Sequence, residues 1–523
     1  MPSGVLTFVR SNDALRCLCE NIQSHRLLYD LCLVNRRFNT LFSTSLYRHV
    51  HIRSNNELKG LLGNTHLTHI RRLTITEGAQ HWSSALTVNE LAQQLLEKMQ
   101  DLKAFTWIGI ALATRTVQLL HQSCNKLKSI HVAYPAEIQG RLLGLGIADE
   151  EDQGDEDSHE ARTLFRIQDF SAFANLEEVT FYNIYDDLSR WRRTLAKILK
   201  SSPRLRKLGL SLSTETIARA YHRGKSATYI DFFDRLCDEF GATGASTLQL
   251  QSLRCGSTIY PRSPASLEKL TDLSHLEEVH VQNASVEGEI VYLSMYEEDE
   301  HIGIAFDTFL SPACRNLRRF TAYQLRGDVF EALCNNTDVE WTRQLAISFE
   351  CPDEGNYEIA QILTEDSEFP GLPLQVRMMD LDFNDKYEDE ISDILDNLVS
   401  SNSETLEGLA LHLPKHPTRH GSFAHFDLLQ EAVGRLPKLT QIAMNLHESI
   451  HGRTYTAEQL NKVEAEKLAS AAHHLQYVNI CWSFWRIWRP IDGEGRMSLI
   501  LISLNEWERE DVELFRHTIF KAS

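Results

Sequence analysis

A chain of 523 residues exceeds what one hydrophobic core usually serves, so length alone calls for several globular domains or one elongated repeat array. The formal charge of −19 argues against a nucleic-acid partner, because such binding draws most of its affinity from neutralising phosphates. No run approaches the roughly 18–20 apolar residues that span a bilayer, so no membrane role is expected.

The N-terminal ten residues, Met1 to Arg10, hold too few apolar side chains for the h-region of a secretory signal, and the expected location is cytoplasmic, nuclear or both. The ten cysteines (Cys17, Cys19, Cys32, Cys124, Cys237, Cys255, Cys314, Cys334, Cys351, Cys481) sit mostly among apolar neighbours and read as reduced core thiols.

Residues 14–52 read as two or three short amphipathic helices with more apolar side chains than so short a stretch can bury. A covering partner is therefore expected. Within them, Leu31-Cys-Leu-Val-Asn-Arg-Arg-Phe-Asn39 followed by Leu46-Tyr-Arg-His-Val-His-Ile52 resembles the second half of an F-box as found in fungal F-box proteins, which often carry irregular leucine-rich repeats behind it. The family's opening Leu-Pro-x-Glu falls at Arg10-Ser-Asn-Asp13, which lacks the proline. The resemblance implies docking on the Skp-type adaptor of a cullin–RING ubiquitin ligase, through a surface drawn from Leu18, Ile22, Leu28, Leu31, Leu33, Val34 and Phe38. Some of these must instead pack the module's own core.

From residue 60 onward, helical stretches alternate with strand-like ones. Apolar residues at 3-4 spacing predict helices over 88–100, 114–124, 189–201, 227–240, 327–335, 388–399, 423–435 and 457–472. A compact pattern, Leu-x-x-apolar-x-apolar, starts at Leu127, Leu176, Leu205, Leu276, Leu317, Leu406, Leu439 and Leu475, with looser copies near 70–75, 102–107, 250–255, 345–347 and 376–381. The usual spacing is 25 to 36 residues. One strand and one helix per unit is the mark of a solenoid, whose units bury their apolar faces only against one another. The expected fold is thus an α/β leucine-rich-repeat-like solenoid, parallel strands with outer helices, over 53–523, behind a small all-α module over 1–52. Near 148–160 the run Asp149 to Asp157, with seven carboxylates, reads as a disordered solvated insertion or, alternatively, a contact for a basic partner.

Strand alternation names the residues expected to face outward: His131, Thr180, Tyr182, Ser211, His280, Gln282, Thr321, Tyr323, His412, Asn445 and Asn479. Among them Tyr182, His280, Gln282, Tyr323, His412 and Asn445 are the candidate substrate contacts, with the tyrosines as anchors. The bland alternative is a row that is polar because water covers it. The aromatic stretch 482–490 reads as the cap of the solenoid's end, or else as a second binding patch.

Enzyme motifs fail on spacing. Gly224-Lys-Ser226 lacks the glycine a P-loop needs at 219, and Gly144-Leu-Gly146 meets Asp149 where a dinucleotide fold needs its third glycine. Pro414 and Pro417 break the helix that would align His412, His416 and His420, with His425 beyond, on one metal. No cofactor is expected. The leading expectation is a non-catalytic substrate-recognition subunit of a Skp–cullin–F-box ligase with a protein substrate. The alternatives are a repeat scaffold whose F-box has decayed and an intracellular α/β enzyme.

Overall fold

A computed structural model describes residues 11–22, 25–76, 85–110, 112–134, 167–185, 187–213, 231–256, 259, 261, 263–282, 312–317, 319–322, 345–349, 376–382, 395, 403–413, 426–446, 454–481, 483–491, 495–504 and 512. The chain divides into two compact units, Met1–Leu276 with Ala284–Cys314, and Glu277–Asn283 with Arg315–Ser523. The acidic run 149–157, Gly144–Gly146, Gly224–Ser226, Tyr323, the helix expected over 327–335, His416, His420, His425 and Trp482 lie outside the described residues. So does the helix expected over 388–399, apart from Leu395. No described helix is long and apolar enough to cross a membrane.

The first unit opens with three short helices, α1 (Asn12–Asn21), α2 (His25–Val34) and α3 (Arg36–Leu46). Ser11 caps α1 by accepting from the Ala14 N–H at 3.2 Å, and Asn35 caps α3 by accepting from the Phe38 N–H at 2.9 Å. Leu15, Cys19, Leu28, Cys32 and Phe42 are buried together between the helices, with Ile22, Leu31, Phe38, Leu41 and Leu46 packed around them.

Behind the helices, seven strands pair in sequence order, every pair parallel: β1 (His49–Ile52), β2 (Arg72–Thr76), β3 (Ala104–Ile108), β4 (Ser129–Ala133), β5 (Glu178–Ile184), β6 (Lys207–Leu212) and β7 (Ser252–Gly256). The residues expected to close the N-terminal module, 49–52, are therefore the first strand of the sheet. Alternation explains this, because Val50 and Ile52 pair with Leu73 and Ile75.

Helices α4 (Asn55–Leu62), α5 (Ala85–Leu96), α6 (Thr114–Ser123), α7 (Leu188–Ser201), α8 (Phe232–Gly241) and α9 (Pro264–Leu270) alternate with the strands. Among them α4 packs on α5, α5 on α6, α7 on α8 and α8 on α9. One feature recurs at every step. The carbonyl just after the leading apolar residue accepts from two successive N–H groups of the next copy: Lys103 from Lys128 and Ser129, Lys128 from Glu177 and Glu178, Glu177 from Arg206 and Lys207, Arg206 from Gln251 and Ser252. Leu102, Leu127, Leu176, Leu205 and Leu250, which lead these copies, are all buried. The pattern read from sequence is thus a stacking rule, in which a buried Leu fixes where each strand enters the ladder.

In the second unit β8 (Glu278–Gln282) pairs in parallel with β9 (Arg319–Ala322). A seven-stranded sheet follows in sequence order: β10 (Leu345–Phe349), β11 (Val376–Asp382), β12 (Gly408–Leu413), β13 (Gln441–Leu446), β14 (Tyr477–Ile480), β15 (Ser483–Trp488) and β16 (Ile500–Ser503). The pairs from β10 to β14 are parallel, and β15 and β16 close the run antiparallel. Helices α10 (Phe426–Gly434) and α11 (Thr454–Ala471) pack on each other, and the double acceptor recurs at Glu407 and Thr440. Each unit is therefore mixed α/β on a largely parallel sheet.

Candidate docking surfaces

The three-helix module cannot bury all its apolar side chains, and the structure sorts them. Leu28, expected among the docking residues, lies in the core, because it and Cys32, four residues on along α2, share the helix face turned toward Leu15, Cys19 and Phe42. Ile22, Leu31 and Phe38 are half-buried against that core, Phe38 stacking on Phe42 at 5.4 Å between centroids. Leu18, Leu33 and Val34 face water, Leu33 and Val34 at 66% and 60% exposure. Leu27 and Tyr29 on α2 are exposed as well. The sequence reading missed both, although each stands in the same amphipathic run.

On the sheet of the first unit, alternation buries one row (Ile130, Val132, Val179, Phe181, Leu208, Leu210, Leu253, Cys255) and leaves a second row polar. Register carries that second row straight across four strands, His131 beside Thr180, Thr180 beside Gly209, Gly209 beside Arg254. Tyr182, two residues along β5 from Thr180, meets His131 edge to face with centroids 5.4 Å apart. Its hydroxyl hydrogen-bonds to Arg254. The reach depends on Gly209, where a Cβ would stand 3.2 Å from the Tyr182 hydroxyl.

The electrostatics of the row are uneven. Burial, aided by the positive charge of Arg254, lowers the His131 pKa to about 4, with Glu178 opposing. Burial likewise pushes the Tyr182 phenol up. For Glu178 burial acts upward, yet Lys207 at 2.8 Å and the Ser129 hydroxyl at 3.0 Å together hold its pKa below the ordinary value. Arg254, Glu178 and Lys207 were not among the expected contacts. Arg254 was legible all the same, since the alternation rule applied to the looser copy at 250–255 points to it.

Other expected outward residues fare differently. Ser211 is buried, its hydroxyl accepting from the Asn183 N–H at 2.9 Å, because β5 bends there with Asn183 at φ 55°. His280 on β8 is half-buried. Gln282, Thr321, His412 and Asn445 stand on described strands, but their side chains lie outside the described residues.

In the second unit the corresponding face is covered by the chain itself. Met378, Ala410, Ala443 and Phe484 are buried there with Leu504 and Val512, and Tyr477 packs alongside. Asn479, expected to face outward, is accordingly 1% exposed, and its Oδ1 meets no hydrogen-bond partner among the described atoms. Small residues at 410 and 443 leave the room that Leu504 and Val512 fill. The aromatic stretch behaves largely as a cap, with Trp485 and Ile487 buried on β15 and Trp488 exposed.

Six of the described cysteines are buried, while Cys17 is exposed and Cys481 half-exposed. Burial raises the Cys124 thiol to about 12 and pushes Cys237 and Cys255 up as well, the behaviour of packing groups rather than nucleophiles. No protein-family model matches the sequence, and no curated protein matches it either.

Proposed function

We propose that this protein is a non-catalytic substrate-recognition subunit of a Skp–cullin–F-box ubiquitin ligase, working in the cytoplasm, the nucleus or both. Its N-terminal helices would dock on the adaptor, and a leucine-rich-repeat-like solenoid would present a protein substrate to the ligase. The observation that carries the reading is the exposure of Leu18, Leu27, Tyr29, Leu33 and Val34, five large apolar side chains left in water on helices with a closed core of their own. Surfaces of that kind on small helical modules are partner sites. The run Leu31 to Asn39, which resembles an F-box, supplies Leu33 and Val34, and that resemblance is the support for a Skp-type adaptor as partner.

The test is capture of the adaptor and cullin by the full chain carrying Leu33→Asp and Val34→Asp. Both positions are already exposed, so the substitutions leave the free module folded; in a complex, two buried carboxylates would cost several kcal/mol. Loss of capture with an unchanged melting profile is expected. Undiminished capture would overturn this docking surface, and absence of capture by the wild-type chain would favour a repeat scaffold without a ubiquitin role.

A further inference from the structure

We propose that Arg254, Tyr182 and His131 form a subsite that recognises an oxyanion, a phosphate or a carboxylate, carried by the bound protein. This deepens the reading of the solenoid as a substrate surface and rests on it. The three residues come from β7, β5 and β4 and converge because the strands are in register and Gly209 offers no side chain between them.

The groups are rich in donors. A guanidinium has only donors, arranged in a fork that matches two oxygens of one anion. A phenol that accepts from it keeps its own O–H to donate. The His131 ring and the Thr180 hydroxyl beside it can donate as well. The one carboxylate that these four strands carry, Glu178, is held by Lys207 and Ser129. With Glu178 paired to Lys207 at 2.8 Å, the guanidinium of Arg254 sets a positive field at this spot on a chain whose formal charge is −19. Half-burial strengthens such a field, because less water screens it. A negatively charged group on the partner complements this spot, whereas a cationic one would be repelled.

The experiment titrates the full chain with inorganic phosphate and, separately, with acetate, at constant ionic strength in chloride. The His131 ring resonance, identified with His131→Gln, is the readout. A saturable shift with at least one anion is expected. Saturation by phosphate alone assigns a phosphorylated partner, and saturation by acetate assigns a carboxylate. Arg254→Met should weaken binding about tenfold or more, and Tyr182→Phe should weaken it less. Arg254→Lys, which keeps the charge without the fork, guards against misfolding and should fall between wild type and methionine. Absence of a saturable shift in the wild type, or Arg254→Met and Tyr182→Phe proteins that titrate like wild type, would overturn the subsite. Adaptor capture on the same preparations tests the ligase reading separately, since Leu33 and Val34 lie on other elements.

Discussion

His131 and Tyr182 stand ring to ring at right angles, centroids 5.4 Å apart, as diagonal neighbours on adjacent parallel strands. The imidazole is kept neutral, since burial and Arg254 both disfavour its cation and bring its pKa from 6.5 to about 4. Between those values the unfolded chain binds a proton that the folded chain does not, so stability rises with pH across this window. The contribution is fully present above pH 6.5 and is lost as pH falls toward 4. For a half-buried ring we expect on the order of 1–2 kcal/mol. Urea midpoints at pH 7 and pH 5 check this: His131→Gln should flatten the difference, and an unchanged pH slope would refute it.

Gly209→Ala is expected to destabilise the first unit by about 1 kcal/mol, since overpacking outweighs the entropic benefit of losing a glycine. The new Cβ would lie 3.0 Å from both Thr180 Cγ2 and Oγ1, and 3.2 Å from the Tyr182 hydroxyl. Adding Thr180→Ala should restore most of the stability while leaving Tyr182 displaced from Arg254. A denaturation series on the two variants measures this, and a Gly209→Ala protein as stable as wild type would refute it.

Much of the strand order was legible because each strand is announced by one buried Leu and two alternating apolar residues; all thirteen windows read as strands coincide with strands of the structure. Three of the described strands escaped. β1 was absorbed into the helical module, because Leu46-Tyr-Arg-His-Val-His-Ile52 was read with the F-box-like run and its window begins at Tyr47 where the pattern has Leu. β15 and β16 lack the pattern because they pair antiparallel, and antiparallel entry needs no leading Leu. Alternation placed Tyr182 and His131 correctly on the polar face but failed at Asn479. There the face is covered by Leu504 and Val512, residues far along the chain, and strand period alone carries no information about what lies on top.

Asn89 is expected to be worth about 2–4 kcal/mol to the first unit. It is fully buried on α5, and its Oδ1 accepts from the Ala113 N–H and from the Thr116 hydroxyl, each at 2.8 Å. Its amide donates to the Ala85 carbonyl at 2.8 Å. Ala113 begins α6 without a capping side chain, so Asn89 supplies the cap from the preceding helix. Asn89→Ala strands the N–H of Ala113 in a dry interior, a full desolvation penalty on top of the lost bonds. Asn89→Asp keeps the acceptor but buries a charge, and should be no better near neutral pH. Hydrogen exchange at the Ala113 and Val117 amides reads the effect locally, and protection equal to wild type in Asn89→Ala would sink the assignment.

Arg489 closes the end of α11, and its replacement should loosen that end before the rest of the second unit. The guanidinium donates to the carbonyl of Leu475 at 2.6 Å and to those of Ala469 and Ala472 at 2.8 and 2.9 Å. Two of these belong to the last turn and cap of the helix, whose carbonyls have no partners within the helix and carry the negative end of its dipole. The third belongs to the buried Leu that leads β14 into the sheet, so one side chain ties the helix end to the strand entry. Burial lowers the arginine's pKa, and a guanidinium, which is not deprotonated in proteins, keeps its charge. Hydrogen bonds from a charged donor are worth roughly 1.5–3 kcal/mol in such settings, so Arg489→Met, which keeps the apolar stem, should cost about 2–3 kcal/mol. Arg489→Lys should recover only part, because an ammonium cannot hold the planar fork across three carbonyls. Exchange protection of the Ala472 and Leu475 amides, which donate to Leu468 and Ala472 respectively, should fall first. Full protection of those two amides in Arg489→Met would show that water serves the same carbonyls equally well and that the arginine does not hold this junction.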